Sequence, residues 1–238
     1  METAQVAELT KDFQGAFGAP LVSLSLHGEG IALWWPATLV AVLSSTDAEK
    51  TLQGASGVLA KWRKRGLKTP LLLNEAELTN SLDCFPVEFF NLQLDRRVLS
   101  GADAFSGPPI DSALLRLQCE RELKGKAIVM RQAFATSTLR EEMEALASQS
   151  VPLFLGIFRT LLHLKGREVP KQPTAVLAAA AKHLSLDEAV FASLAEVAMG
   201  RNKKLPRESL QALMREYLRG TERLASLADG LRLDVKET

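Results

Sequence analysis

The first part of the chain alternates between helical and extended hydrophobic patterns. Residues 3–17 place Val6, Leu9 and Phe13 at three- and four-residue spacings, which predicts an amphipathic helix ended by Gly18. Apolar residues alternate with serine over 21–26, and an apolar run follows at 37–43, so both segments are predicted strands. Further elements are predicted up to residue 94: a helix over 46–65, a strand over 71–73, a short helix over 75–82 and a strand over 87–94.

Beyond a helix-breaking Ser-Gly-Pro-Pro cluster at 106–109, every pattern is helical. Helices are predicted over 110–134, with a continuation over 139–147, and over 152–164, 174–184, 186–199 and 206–227. All three tryptophans lie before this cluster. We therefore predict an α+β protein of two domains, an α/β domain with a small mixed sheet over residues 1–106 and an all-α helical bundle over 107–238.

Composition narrows the classes of function. The chain is 47% hydrophobic and 24% charged, which is typical of a soluble globular protein. A formal net charge of +1 lacks the basic excess that binding to a phosphate backbone requires, so nucleic acid is a disfavoured partner. No apolar stretch suggests a membrane span, and the acidic N-terminal segment is unlike a signal peptide. We expect a cytoplasmic protein, whose two cysteines are buried and form no disulfide framework or zinc site.

Two segments and the order of elements resemble a known superfamily. The segments are Ser81–Asn91, read SLDCFPVEFFN, and Leu115–Lys126, read LRLQCERELKGK. A helix, a strand ending in glycine, a second strand, a helix, a third strand and then a helical bundle follow in that order. This arrangement resembles small bacterial members of the nucleotidyltransferase superfamily, in which a minimal catalytic domain precedes a helical domain.

The resemblance implies a catalytic apparatus that this sequence lacks in part. Active members follow the first strand with Gly-Ser, which holds nucleotide phosphates, and begin the second strand with an acidic pair that holds two Mg²⁺ ions. Here Gly28 is present, but Glu29 stands in place of the serine, and no acid occurs from Gly30 to Thr46. Glu88, on the predicted strand 87–94, could match the third acid. We predict no catalytic residue, no metal site and no cofactor.

Other candidates for this cleft are Glu120 and Glu122, because related enzymes contribute acids from the helical domain. The competing interpretation is a solvated helix face, on which these residues form i,i+4 ion pairs with Lys124 and Lys126. For His27, beside the glycine, we expect a hydrogen bond to nearby backbone.

Trp34 and Trp35 are candidates for an interface, because consecutive strand residues point to opposite faces and one ring then lies near the surface. Core packing at the start of a strand is the simpler interpretation. The basic loop of Arg201, Lys203 and Lys204 is weak evidence for nucleic acid.

The sequence as a whole favours a catalytically inactive nucleotidyltransferase-like protein that acts as a binding or regulatory module. Its partner would be an unknown protein or a small ligand. One alternative is an active nucleotidyltransferase, using Mg²⁺ and a nucleotide held by Glu29, Glu88 and either Glu120 or Glu122. The other is an oligomeric interaction protein, for which a homo-oligomer is the simplest form.

Overall fold

A computed structural model describes residues 3–28, 38–44, 51–136, 139–201 and 205–232. The chain is α+β and divides into two compact units, Met1–Phe85 with Leu92–Pro109, and Pro86–Asn91 with Ile110–Thr238. The two predicted domains, 1–106 and 107–238, stay a prediction.

The first unit is built on a four-stranded mixed sheet. Strand β1 pairs antiparallel with both β2 and β4, β2 pairs parallel with β3, and the strand order is β3-β2-β1-β4. The elements that the first unit contributes, in chain order, are α1 (Thr3–Phe17), β1 (Leu21–His27), β2 (Thr38–Leu43), α2 (Ser56–Lys64), β3 (Leu71–Asn74), α3 (Glu75–Asn80) and β4 (Arg96–Gly101).

The core of the first unit lies between the two long helices and one face of the sheet. Leu9 and Phe13 of α1 and Trp62 of α2 pack with the strand residues Leu24 and Leu26. The spacing of the buried α1 residues is the one that the sequence pattern indicated. Helix α2 ends where it was predicted to end, before Gly66, although the proposed helix start at 46–49 lies outside the described residues.

The second unit is helical. Helix α4 (Pro86–Leu94) precedes β4 in the chain, and its first six residues belong to this unit. The remaining helices are α5 (Ser112–Thr136), α6 (Arg140–Leu164), α7 (Pro173–Leu184), α8 (Glu188–Ala198) and α9 (Arg207–Asp229). An aromatic cluster lies in its core, where Phe154 of α6 packs against Phe158, Phe191 and Tyr217 with ring centroids 5.3 to 5.7 Å apart.

The predicted strand over 87–94 is wrong, because this segment is helix α4. Proline at the first helical position fixes a helical φ and has no N–H to leave unpaired. Its buried residues, Pro86, Val87, Phe89 and Phe90, are related by three-residue steps that place them on one helix face. The fourth strand is instead β4, to which the sequence pattern assigned no element.

Helix α6 also differs from the prediction, which gave residues 139–147 as a continuation of the preceding helix and residues 152–164 as a separate helix. The helix continues through Pro152 as one element of 25 residues. Interior proline costs about 3 kcal/mol, but Val151, Phe154 and Leu155 beside it are all buried, and their packing offsets that cost.

Helix α6 is also long and apolar enough to cross a membrane by length and hydropathy alone. Its apolar window is 65% buried inside the protein. Such burial is what the core helix of a soluble protein shows, so this helix is weak evidence for a membrane span.

Gly101, at the end of β4, is required by its backbone and its surroundings. Its φ is +76°, and an added Cβ would lie 2.0 Å from the carbonyl oxygen of Val22. Gly18 also has a positive φ, of +59°, but an added Cβ there would meet no atom within 4 Å. A side chain at Gly18 would therefore cost free energy through backbone conformation alone, whereas a side chain at Gly101 would also clash with the backbone of Val22.

We predict that Gly18→Ala lowers the free energy of unfolding by roughly 1–2 kcal/mol, the usual cost of a left-handed residue with a side chain. Gly101→Ala should lower it by clearly more, because β1 and β4 must move apart. Urea denaturation of both variants and the unchanged protein measures the difference. Equal losses would contradict the close approach of Gly101 to Val22.

Candidate functional site

The candidate site is the end of β1, where His27 precedes Gly28. Because neighbouring strand residues point to opposite faces, Ser23, Ser25 and His27 share the face opposite to Leu24 and Leu26. The two leucines contribute to the core with α1 and α2. The three polar side chains are nevertheless buried as well, with exposed fractions of 1%, 1% and 4%. This strand therefore carries a buried polar row on its second face.

Both ring nitrogens of His27 have hydrogen-bond partners. Nδ1 lies 3.0 Å from the carbonyl oxygen of Leu92, and Nε2 lies 2.7 Å from Oγ of Ser25. Because a carbonyl oxygen only accepts, Nδ1 donates to it, and Nε2 of the neutral ring accepts from the serine hydroxyl. The ring of Phe105 contacts the imidazole edge to face, with centroids 4.9 Å apart. The expected bond between His27 and backbone is confirmed.

The surroundings of His27 favour its neutral form. The pKa of His27 is lowered to about 4: burial is the largest cause and the positive charge of Arg96 acts in the same direction, whereas the Leu92 carbonyl and the charges of Asp95 and Asp103 oppose the shift. A hydrogen-bonded serine and histidine could in principle form a nucleophile and its base. Here the serine is almost inaccessible and the imidazole is a weak base, so the pair is better suited to holding structure than to catalysis.

The same end of β1 supplies hydrogen-bond donors to the carbonyl groups at the C-terminus of helix α4. The last carbonyls of any helix lack partners within the helix. His27 donates to the carbonyl oxygen of Leu92, and the Arg96 guanidinium donates to the carbonyl oxygen of Gln93. The N–H of Gly28 donates to the carbonyl oxygen of Asp95 at 3.1 Å. The φ of Gly28, +76°, favours glycine at this turn.

Arg96 is itself held in place by Asp103. Its Nε lies 2.8 Å from one carboxylate oxygen, its Nη2 lies 2.9 Å from the other, and this hydrogen bonding lowers the pKa of the Asp103 carboxyl. The segment after β4 thus supplies both Phe105, which covers His27, and the anion that fixes Arg96.

Glu88 lies on helix α4, so the strand that was predicted to carry it as a match to the third acid of the superfamily is wrong. Its carboxylate accepts a hydrogen bond from Nε2 of Gln118 at 2.7 Å. The Oε1 of the same glutamine accepts from the N–H of Val87 at 2.8 Å, which satisfies one of the free donors at the start of α4. Glu88 is part of the attachment of α4 to α5.

Glu120 and Glu122 form the intrahelical ion pairs that the competing interpretation predicted, and those pairs are confirmed. Glu120 bonds Lys124 at 2.6 Å and Arg116 at 2.8 Å, and these hydrogen bonds lower the pKa of its carboxyl. Glu122 bonds Lys126 at 2.6 Å.

Several other residues predicted from the sequence cannot be compared with the structure, and one prediction about the cysteines can. Glu29, Trp34, Trp35, Lys203 and Lys204 lie outside the described residues. The prediction of two buried cysteines is wrong for Cys84, which is exposed, whereas burial raises the pKa of the Cys119 thiol to about 12.

The candidate carboxylates were predicted as possible ligands of a metal ion only in the rival interpretation of an active enzyme. The carboxylates of Glu88, Glu120 and Glu122 are each bonded to side chains of α5. Within the described ranges, no group of three or more His, Cys, Asp or Glu residues could hold a metal ion. These residues therefore do not fit a magnesium site as they are arranged.

No motif in the sequence identified Ser25, Arg96, Asp103 or Phe105 as part of this site. The available signal was the Ser-x-Ser-x-His pattern of β1, which places three polar residues on one face of a predicted strand. The partners of that face come from residues 92–105, and no local pattern identifies them.

No protein-family model matches the chain, and a search of the curated proteins finds no match either.

We predict that His27 makes stability depend on pH in acid. Its folded pKa of about 4 lies below the unfolded value of about 6.5, so between these values only the unfolded chain gains the proton. As pH decreases from 6.5 to 4, protonation of this residue should lower the free energy of unfolding by about 3 kcal/mol. Above pH 6.5 the imidazole is neutral in both states, so this residue should not make the free energy of unfolding depend on pH.

Urea denaturation at a series of pH values measures this effect in the unchanged protein and in His27→Gln, which cannot titrate. His183→Gln is the control for removing a histidine elsewhere. An unaltered pH slope in His27→Gln would show that the imidazole is not responsible.

Proposed function

We propose that the protein is a nucleotidyltransferase-like protein that does not catalyse nucleotidyl transfer and acts as a binding or regulatory module in the cytoplasm. The order of α1, β1, β2, α2 and β3, followed by a helical unit, supports the relationship. The observation that carries the proposal is the hydrogen bond from the N–H of Gly28 to the Asp95 carbonyl oxygen.

That hydrogen bond occupies a group that a nucleotidyltransferase would use. In the superfamily that the sequence resembles, the backbone after the first strand holds nucleotide phosphates. In this chain the corresponding glycine amide already donates to the protein, and the nearest imidazole has partners at both nitrogens. Arg96, the cation beside this turn, is bound to Asp103. A phosphate group would have to displace these bonds to bind there.

Local charge also supports loss of transfer activity. Glu29 follows the glycine directly, where its carboxylate would repel phosphate. The hard oxygen ligands that magnesium needs are lacking along β2, whose residues are Thr-Leu-Val-Ala-Val-Leu. The rival proposal, an active enzyme with rearranged ligands, needs Glu88 and either Glu120 or Glu122 to leave their present partners and converge with Glu29.

Calorimetric titration of the full chain with ATP, GTP, CTP and UTP tests the proposal, with Mg²⁺ and, as the control, with EDTA. We expect no Mg²⁺-dependent binding in the micromolar range and no release of pyrophosphate. Release of pyrophosphate that is lost in both Glu29→Gln and Glu88→Gln would establish the rival proposal instead.

A further inference from the structure

Helices α6 and α7 of the second unit pack against each other and end at the same corner. Nζ of Lys165, directly after α6, donates a hydrogen bond at 2.9 Å to the carbonyl oxygen of His183, in the last turn of α7. Residues 163–186, which include both helix ends, contain four basic residues and one acid, Glu168. Positive charge is therefore concentrated here, in a chain whose formal net charge is only +1.

The two helix ends do not require all of these cations. At the end of α6, the backbone N–H groups of residues 165–167 donate to the last carbonyl oxygens of the helix. At the end of α7, Lys165 supplies both a donor and a favourable positive charge. Arg167 and Lys182 are exposed, and within the described residues their side chains have no hydrogen bond or ion pair. Both cations are therefore available to an anion.

The imidazole of His183 lies among these charges. Its pKa is lowered, with burial as the largest cause, and the positive charges of Arg167, Lys182 and Lys165 act in the same direction. A neutral imidazole still has one N–H group that can donate a hydrogen bond. Cations from two helix ends thus surround one further donor.

The backbone beside this imidazole is also unusual. Ser185 has a φ of +56°, and among the described residues it is the only one other than glycine with a positive φ. Glycine would adopt this conformation at less cost, and such strained residues are concentrated at functional sites. This strain distinguishes the same corner independently of its charges.

We propose that Lys165, Arg167, Lys182 and His183, named here the basic corner, bind the phosphate group of a small soluble molecule. A phosphate monoester is mainly a dianion at neutral pH and has three strong acceptor oxygens. The planar guanidinium can donate two parallel hydrogen bonds to it, and the ammonium groups add compact positive charges. The proposed function makes no use of this corner, so the two proposals are independent.

The exposure of these side chains sets the expected affinity. One exposed ion pair changes an equilibrium constant by at most about fivefold. Three such pairs and one hydrogen bond therefore give a Kd on the order of 1–10 mM. Such binding needs no Mg²⁺ and is far weaker than the micromolar, Mg²⁺-dependent binding of nucleotides that would contradict the proposed function.

NMR of the imidazole C–H signals in the full chain tests the proposal, because the chain has only three histidines. Inorganic phosphate is added at about pH 7.5, where it is mainly the dianion, and NaCl at matched ionic strength is the reference. We expect the His183 signal to shift along a saturating curve with a millimolar Kd. Lys182→Gln and Arg167→Gln should each raise this Kd about two- to fivefold, because each variant loses one exposed ion pair.

Lys64→Gln is the matched control. Lys64 is also an exposed lysine in the last turn of a helix, α2, and its side chain has no partner in the described part of the chain. This variant should bind phosphate as the unchanged protein does. All the substituted side chains are exposed, and the His27 and His163 signals in the same spectra show whether each variant keeps its fold.

Two outcomes of the phosphate titration overturn the proposal. One is a His183 signal that shifts no further with phosphate than with NaCl. The other is saturable binding that both Lys182→Gln and Arg167→Gln leave unchanged, which places the phosphate on another surface.

A second pair of probes distinguishes a soluble ligand from a lipid. Glycerol phosphate should bind as inorganic phosphate does, whereas vesicles of phosphatidylcholine and phosphatidic acid should not sediment the chain. Sedimentation with these vesicles that Lys182→Gln abolishes would overturn the assignment to a soluble molecule and assign the corner to a lipid headgroup.

Discussion

The unpaired carbonyl groups at the C-terminus of helix α4 determine which residues are needed at the end of β1. Its final carbonyl groups cannot bond within the helix, and leaving such groups buried and unpaired costs about 1–3 kcal/mol each. His27, Gly28 and Arg96 supply the missing donors. A neutral, buried imidazole is therefore part of the folded structure, and its low pKa is a consequence of the burial that this arrangement requires.

This arrangement links stability to the loss of function that we propose. An enzyme that binds phosphate at a glycine turn must leave amide and cationic groups available for it, at a cost in stability. In this chain the same groups bond to neighbouring backbone and to Asp103, so the turn is stabilised without a ligand. Under the proposed function, Glu29, which stands where the resemblance implies a serine, is consistent with a turn that does not have to attract an anion.

Two of the elements that sequence patterns predicted correctly have a single clear periodicity. The apolar spacing of α1 and the serine alternation of β1 each fit one structure only. Residues 87–94 fit two, because Val87 and Phe89 are spaced as on one strand face, whereas Val87 and Phe90 are spaced as on one helix face. Strand β4 gave no signal, since it is an edge strand that begins with two arginines and is buried at none of its positions.

At the candidate site, contacts between residues close together in the chain could be predicted, and contacts between distant residues could not. The ion pairs of Glu120 and Glu122 lie four residues apart on one helix, so spacing alone predicted them. His27 and Leu92 are 65 residues apart, and their contact depends on the register of β1 beside β4 and on where α4 ends. Because the strand assignment of 87–94 was wrong, no sequence argument could have found the Leu92 carbonyl as a helix-terminal acceptor. Residue identity indicated that His27 needs a partner, whereas only the fold determines that this partner is the carbonyl oxygen of Leu92.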